Sequence, residues 1–304
     1  MRRDEFQGRL NLMCTDGTDS LERDRPLELP YEFVTPIRAG HVIRNLKMQL
    51  ILDKIRTPDE QPTVSRTRLL KVLEESLRSC TSTVVNGRAG TGKTRLAIDF
   101  ARSCGRLVAW YKVDAADSDL RIFFQYLVES VRRQRPDFGH EALARLLDET
   151  ATVEDVPLLA EAFVYELLES GSQPLLIVID DLHLVYDAEW VVPFFRRLLP
   201  LLPTDAHMLI TGRSLPPAPL WRMRSKQMLC VVEEPMLAFT EEEAKRLFAS
   251  YGLPEREVKE ALDETHGRAA VLDAMARLKS ASDRVAESIA AIKRQRGLSP
   301  AFGS

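Results

Sequence analysis

Between Val64 and Val232, short apolar runs alternate with stretches of helical spacing. The runs Thr83–Val85, Leu107–Tyr111, Leu175–Ile179, His207–Thr211 and Gln227–Val232 read as strands. Leu175-Leu176-Ile177-Val178-Ile179 shows no polar alternation, which is what a strand covered on both faces requires. Within Arg66–Ser79 the leucines at 69, 70, 73 and 77 fall on one helical face. Further helices are predicted over Lys93–Ser103, Asp119–Arg132, Glu141–Leu147, Val156–Glu169 and Ala188–Leu199. Strands alternating with helices predict an α/β fold, a parallel sheet sandwiched by helices. After Pro235 the strands stop. Thr240-Glu241-Glu242-Glu243 has the capping-box pattern, with Ala244, Leu247 and Phe248 as the apolar face behind it. Pro254 opens a second helix and Ala269–Leu278 forms a third, so a small all-helical subdomain is expected, packed on the sheet domain because it is too small to be very stable alone.

The expected organisation is a poorly ordered arm over 1–51, an α/β sheet domain over 52–235, a helical lid over 236–298 and a flexible tail over 299–304. Asp16-Gly17-Thr18-Asp19-Ser20 and Pro26, Pro30 and Pro36 break any periodicity in the arm, although His41–Ile55 could form a short helix. Composition adds exclusions. The 304 residues are 45% apolar and 29% charged, which rules out a mainly disordered or collagen-like chain. The net charge of −3 gives no whole-chain attraction to nucleic acid. The apolar runs are far too short to span a bilayer, and no apolar stretch follows Arg2 and Arg3, so neither a membrane span nor a secretory signal is read. Four dispersed cysteines (14, 80, 104, 230) form no C-x-x-C pair, which makes a reducing, cytoplasmic setting the expectation. The basic clusters Arg132-Arg133-Gln134-Arg135 and Lys293-Arg294-Gln295-Arg296 read as solvated helix faces.

The chemistry concentrates at three strand ends. Gly87-Arg88-Ala89-Gly90-Thr91-Gly92-Lys93-Thr94 fits G-x-x-x-x-G-K-[ST] between an apolar strand and an amphipathic helix. Its glycines let successive N–H groups face inward as an anion nest, and the helix N-terminus adds attraction. Lys93 is expected to reach the β- and γ-phosphates and Thr94 to ligate Mg²⁺, with residues 87–95, Arg95 included, around the phosphates. The third strand ends in Asp180 and Asp181. Asp180 is the candidate for holding the metal, and Asp181 either accepts a proton from the attacking water or caps the next turn. His183 gets no chemical role. The fourth strand ends in Thr211-Gly212-Arg213; Arg213 either senses the γ-phosphate or is a surface arginine.

Taken together, the G-x-x-G-x-G-K-T loop, Asp180-Asp181-Leu182-His183, the T-G-R strand end and Leu237-Ala238-Phe239-Thr240 with Glu243-Ala244 resemble the nucleotide-binding module of STAND ATPases, in the branch of the maltose-regulon activator and large LuxR-type regulators. Ala109-Trp110-Tyr111-Lys112-Val113-Asp114 also resembles that branch's second strand. Lys54–Pro58 and Val64–Leu70 resemble its lead-in, which in the family lies near the adenine. The similarity runs over about residues 52–280. The resemblance implies an ATP/ADP switch with Mg²⁺: ADP holds a closed resting state, ATP opens the module for self-association or a protein partner, and slow hydrolysis resets it. It assigns phosphate and metal binding to Lys93 and Thr94, the metal to Asp180, the base to Asp181 and the γ-phosphate sensor to Arg213. The family's lid usually carries G-W or G-x-P. Thr265-His266-Gly267-Arg268-Ala269-Ala270 keeps only the glycine. Large LuxR-type regulators continue into winged-helix, repeat and helix-turn-helix segments, for which the chain up to Ser304 leaves no room, and direct DNA binding is not expected. A small-molecule phosphotransferase, a binding-only regulator and a DNA-binding ATPase are the competing classes.

Overall fold

The structure is a computed structural model that describes residues 50–295 apart from 61–62, 140, 151 and 227. The expected arm and tail, most of the helix from His41 and Arg296 lie outside the described residues. Of that helix, Leu52–Ile55 is a single 3₁₀ turn.

Five parallel strands form one sheet: β1 (Ser82–Asn86), β2 (Leu107–Lys112), β3 (Leu175–Asp180), β4 (Ala206–Gly212) and β5 (Leu229–Val232), in the order β2-β3-β4-β1-β5. Its helices are α1 (Thr67–Ser79), α2 (Lys93–Ser103), α3 (Leu120–Arg132), α4 (Glu141–Glu149), α5 (Val156–Glu169), α6 (Val191–Leu198) and the short α7 (Ala218–Trp221). The expected α/β fold of the P-loop NTPase type is the fold found.

The period-2 geometry of a strand sorts each apolar run onto two faces. Leu175, Ile177 and Ile179 of β3 join Ala109 and Tyr111 of β2 and Met208 and Ile210 of β4 in one cluster, under α3, α5 and α6. Leu176, Val178, Trp110, Leu209 and Val85 point the other way, into a second cluster with Leu69, Leu73, Leu96 and Phe100 from α1 and α2. The first face is built on aromatic rings: Phe123 packs on Trp190 at 4.6 Å, and Phe194 meets Phe195 edge-on at 5.3 Å. Such pairs add about 1 kcal/mol each beyond the area they bury.

The polar ends of the elements are fixed locally. Asp119 caps α3 through the amides of Arg121 and Ile122. Arg135 departs from the solvated face expected of it. Its guanidinium is 4% exposed and donates to Leu167 O (2.8 Å), Gln173 O and Asp205, where a buried charge finds carbonyls that the ends of α5 and β3 leave free. Arg132 likewise folds onto the carbonyls of Phe138 and Gly139.

Beyond β5 come α8 (Glu241–Ser250), α9 (Val258–Thr265) and α10 (Ala269–Gln295). The Thr240–Glu243 capping box is present. Ala244, Leu247, Phe248, Leu253, Val258, Ala261, Leu272 and Ala276 build a separate apolar cluster. Helix α10 runs well past Leu278, and residues 281–292 are exposed. Among the described residues no helix is long and apolar enough to cross a membrane.

Candidate functional site

The carboxyl ends of β1, β3 and β4 lie side by side, and the chain leaves β1 toward β2 and β4 toward β5, in opposite directions. Open α/β sheets hold their ligands at such a divide. Residues 87–92 form the loop there. Gly90 (φ +81) and Gly92 (φ +83) take left-handed backbone, which side chains disfavour. Helix α2 begins at Lys93, so its first amides have no partner within the helix and face the loop. The Lys93 ammonium is buried and donates to Gly87 O (2.6 Å) and Arg88 O (3.0 Å). Burial lowers its pKa, Arg213 adds to that, and Asp181 and Asp180 oppose it.

A cleft of about 400 Å³ opens beside the loop. Ala89, Gly90, Gly92, Lys93, Thr94 and Arg95 line it, and so do Asp181 and Arg213. Gly87, Arg88 and Thr91 belong to the same loop but not to the cleft wall. The Arg88 N–H and Nε both donate to Glu234 at 2.7 Å, while the Thr91 hydroxyl closes the turn onto Arg88 O at 2.9 Å. Asp180 is also off this wall. It faces a second cleft, with Thr94 common to both.

Asp180 is fully buried. It accepts from the Thr211 hydroxyl at 2.6 Å and from Thr94 at 3.0 Å. Burial raises its pKa against these bonds. The Thr211 hydroxyl in turn accepts from the Asp181 N–H at 2.9 Å, so one side chain of β4 fixes both residues at the end of β3. Asp181 has φ +62 and stands at the N-cap position of the 3₁₀ turn Leu182–Val185, where its side chain makes no capping bond. Such a conformation in a non-glycine residue costs of order 1 kcal/mol or more and is kept where the surroundings demand it. His183 Nδ1 lies 3.7 Å from Asp181 Oδ1, beyond hydrogen-bond reach, and burial lowers its pKa.

Oxygen donors alone, from Thr94 and Asp180, suit a hard cation such as Mg²⁺, which takes one or two protein oxygens and completes its shell with phosphate and water. The donor set therefore fits the metal expected there.

Two arginines escaped the sequence reading. Arg66 is 4% exposed. It donates to Leu237 O (2.7 Å) and Gly92 O (3.0 Å) and lies over the Phe239 ring. Burial lowers its pKa to about 10. Arg268, next to the left-handed His266–Gly267 pair, donates to Ala89 O. Both lie in segments quoted for the resemblance, but neither was given a role of its own, because Leu237 and Ala89, the carbonyls they reach, are far away in sequence. Of the lead-in segments, Val64 and Arg66 line the main cleft together with Phe239 and Ala269, whereas Lys54–Pro58 borders the second, apart from Ile55. Lys54 is bound instead to Asp117 (2.6 Å) and Asp114 (3.0 Å).

Residues 64–211 match the AAA ATPase domain family. The chain is 32% identical over 201 residues to the HTH-type transcriptional regulator MalT of Serratia proteamaculans, covering 66% of this chain and 22% of that protein. Over residues 64–211 the chain is a P-loop module similar to AAA ATPase domains, and over about two thirds of its length it resembles MalT. Against MalT of Yersinia enterocolitica, the identity is 29% over 231 residues, 75% of this chain and 25% of the other. The ATPase module and its helical neighbour thus span about a quarter of the length of these regulators. Among solved structures, a STAND protein with a tetratricopeptide repeat sensor from Pyrococcus horikoshii aligns with a TM-score of 0.49 at 20% identity, over 70% of this chain and 30% of that one.

Proposed function

We propose that the module binds ATP and ADP with Mg²⁺, hydrolyses ATP slowly and uses the difference between the two states to signal, in a regulator of transcription of the MalT kind. In this reading the amides of residues 89–94 hold the phosphates and Lys93 leaves the loop carbonyls to meet them. Thr94 and Asp180 hold Mg²⁺, which when bound neutralises charge on the phosphate oxygens. Asp181 accepts a proton from a water whose oxygen attacks the γ-phosphorus. The bond from that phosphorus to the bridging oxygen breaks, and ADP leaves with the electron pair. Arg213, on the same cleft wall, senses the γ-phosphate and stabilises the charge that develops. In the ATP state the module associates with another copy or with a protein partner.

The observation that carries the proposal is the loop itself: left-handed Gly90 and Gly92, a helix starting at Lys93, and Thr94 already paired with Asp180 at 3.0 Å. The test begins by denaturing purified protein and identifying any released nucleotide, followed by calorimetry with Mg-ADP and Mg-ATP on wild type and Lys93→Ala. Binding by the wild type, weakened about a hundredfold in the variant, is expected, since a charge-assisted contact to phosphate is worth about 3 kcal/mol. Folded wild-type protein giving no heat with either nucleotide would sink the reading.

A further inference from the structure

An anion nest turns its amides inward, so its carbonyls face outward and need donors of their own. In this loop two of those donors come from the helical subdomain. Arg268 Nε and Nη2 reach Ala89 O at 3.2 and 2.5 Å, and the Ala270 N–H donates to Gly90 O at 2.9 Å. The carbonyls of Gly87 and Arg88 accept from Lys93, the second also from the Thr91 hydroxyl, and the ammonium is needed elsewhere when a phosphate arrives. The lid contacts to Ala89 and Gly90 make no such demand on Lys93.

The segment that supplies them is itself held in place. Gly267 has φ +68, and a Cβ there would lie 2.9 Å from both the N and the O of Phe239. The Phe239 N–H donates to Gly267 O at 2.9 Å. A Cβ on Gly90 would lie 3.1 Å from Ala270 Cβ, so the first turn of α10 rests directly on the loop. The seat thus places the glycine against Phe239, the arginine at Ala89 and the helix start over Gly90.

We infer that Arg268 is a positioning residue, which shapes the phosphate loop through the Ala89 carbonyl so that polyphosphate affinity depends on the helical subdomain being docked. The inference deepens the nucleotide-binding reading and rests on it for the identity of the ligand. Arg268 needs no contact with the nucleotide for this effect. Docking of the lid and order of the loop become one equilibrium, and whatever pulls the lid away loosens the grip on phosphate.

The test compares wild type with Arg268→Ala, Arg268→Lys and Gly267→Ala. Amide hydrogen exchange is followed at residues 88–94 in nucleotide-free protein, and Mg-ADP affinity by calorimetry. Arg268→Ala should exchange faster at those amides and bind Mg-ADP about tenfold more weakly, the size expected for losing a charged donor to a carbonyl. Lysine, which can still donate to Ala89 O, should recover part of both effects. Gly267→Ala, which unseats the segment by sterics while keeping the arginine side chain, should reproduce them. Equal loop exchange in wild type and Arg268→Ala overturns the inference, whether or not nucleotide binds. Loss of ADP binding in Lys93→Ala with wild-type affinity in Arg268→Ala overturns it too, while leaving the nucleotide-binding reading standing. Absence of binding by wild type removes that reading, and the exchange comparison then decides the lid–loop coupling alone.

Discussion

Thr211 carries more of the site than its place in an apolar strand suggests. Its hydroxyl donates to Asp180 and accepts from the Asp181 amide, so it sets the direction of one carboxylate and the backbone turn that presents the other. Thr211→Val keeps the shape and removes both bonds. Leaving buried partners unsatisfied costs about 1–3 kcal/mol. The expected result is a drop of about tenfold or more in phosphate release with Mg-ADP affinity within about threefold of wild type. Equal losses in both would show that Thr211 serves the loop rather than the acidic pair. His207 offers a second residue-scale prediction. It is buried among Thr83 (2.8 Å), the Cys80 carbonyl (3.2 Å) and the positive charge of Arg106, and burial lowers its pKa to about 4. The unfolded chain takes up a proton near 6.5 and the folded chain does not. Its stabilising share is therefore complete above pH 6.5 and is lost as the pH falls toward 4, by about 3 kcal/mol in all. Urea unfolding at pH 7 and pH 4.5 should show the decline, and His207→Gln should shrink it. A variant with the same slope as wild type would place the effect elsewhere.

At the scale of elements, what could be read from sequence was what is local. Helices α2 and α5 begin and end where apolar spacing and neighbouring breakers put them, and Asp119 was legible as a boundary because a cap acts within three residues. The strands needed only their unbroken apolar runs. Helix α10 was read too short: Val285, Ile289 and Ile292 continue helical spacing beyond Leu278, and among good helix formers they carry the helix on to Gln295 although they stay exposed. The same logic divides the site. The phosphate loop, Asp180, Asp181 and Arg213 sit in contiguous motifs, whereas Arg66 and Arg268 take their meaning from carbonyls outside their own segments, Leu237 and Gly92 for one and Ala89 for the other. The capping box gives a prediction at this scale. Thr240 accepts from the Glu243 N–H at 3.3 Å, and Glu243 returns to the Thr240 N–H at 3.1 Å. Thr240→Ala should cost about 1 kcal/mol, felt in α8. Hydrogen exchange should quicken in α8 and stay unchanged in β3; an unchanged α8 would mean that Leu247 and Phe248 alone hold that helix.

Across the whole molecule, three apolar clusters are joined by polar seams. The two faces of the sheet share every central strand and must melt together. The helical cluster meets them through polar contacts: Arg268 to the Ala89 carbonyl, the Ala270 N–H to the Gly90 carbonyl, Arg66 over the Phe239 ring and Arg68 beside Glu243. Hydrogen bonds of this kind contribute about 1–3 kcal/mol each and can open without exposing a core. The helical subdomain should therefore open locally below the free energy of global unfolding, with α8–α10 exchanging faster than β1, β3 and β4 in nucleotide-free protein. The cleft lies along this seam, walled by loop residues on one side and by Phe239, Ala269 and Ala270 on the other. A ligand gripping both walls must stabilise the seam and the sheet together. At a hundred times its dissociation constant it adds about 2.7 kcal/mol, or roughly 5–10 °C in Tm for a chain of this size. Saturating Mg-ADP should produce that shift and slow exchange in α8–α10 toward that of the sheet, and Lys93→Ala should abolish both. A wild-type Tm shift with no slowing in α8–α10 would confine the ligand to the sheet side and separate nucleotide binding from the lid.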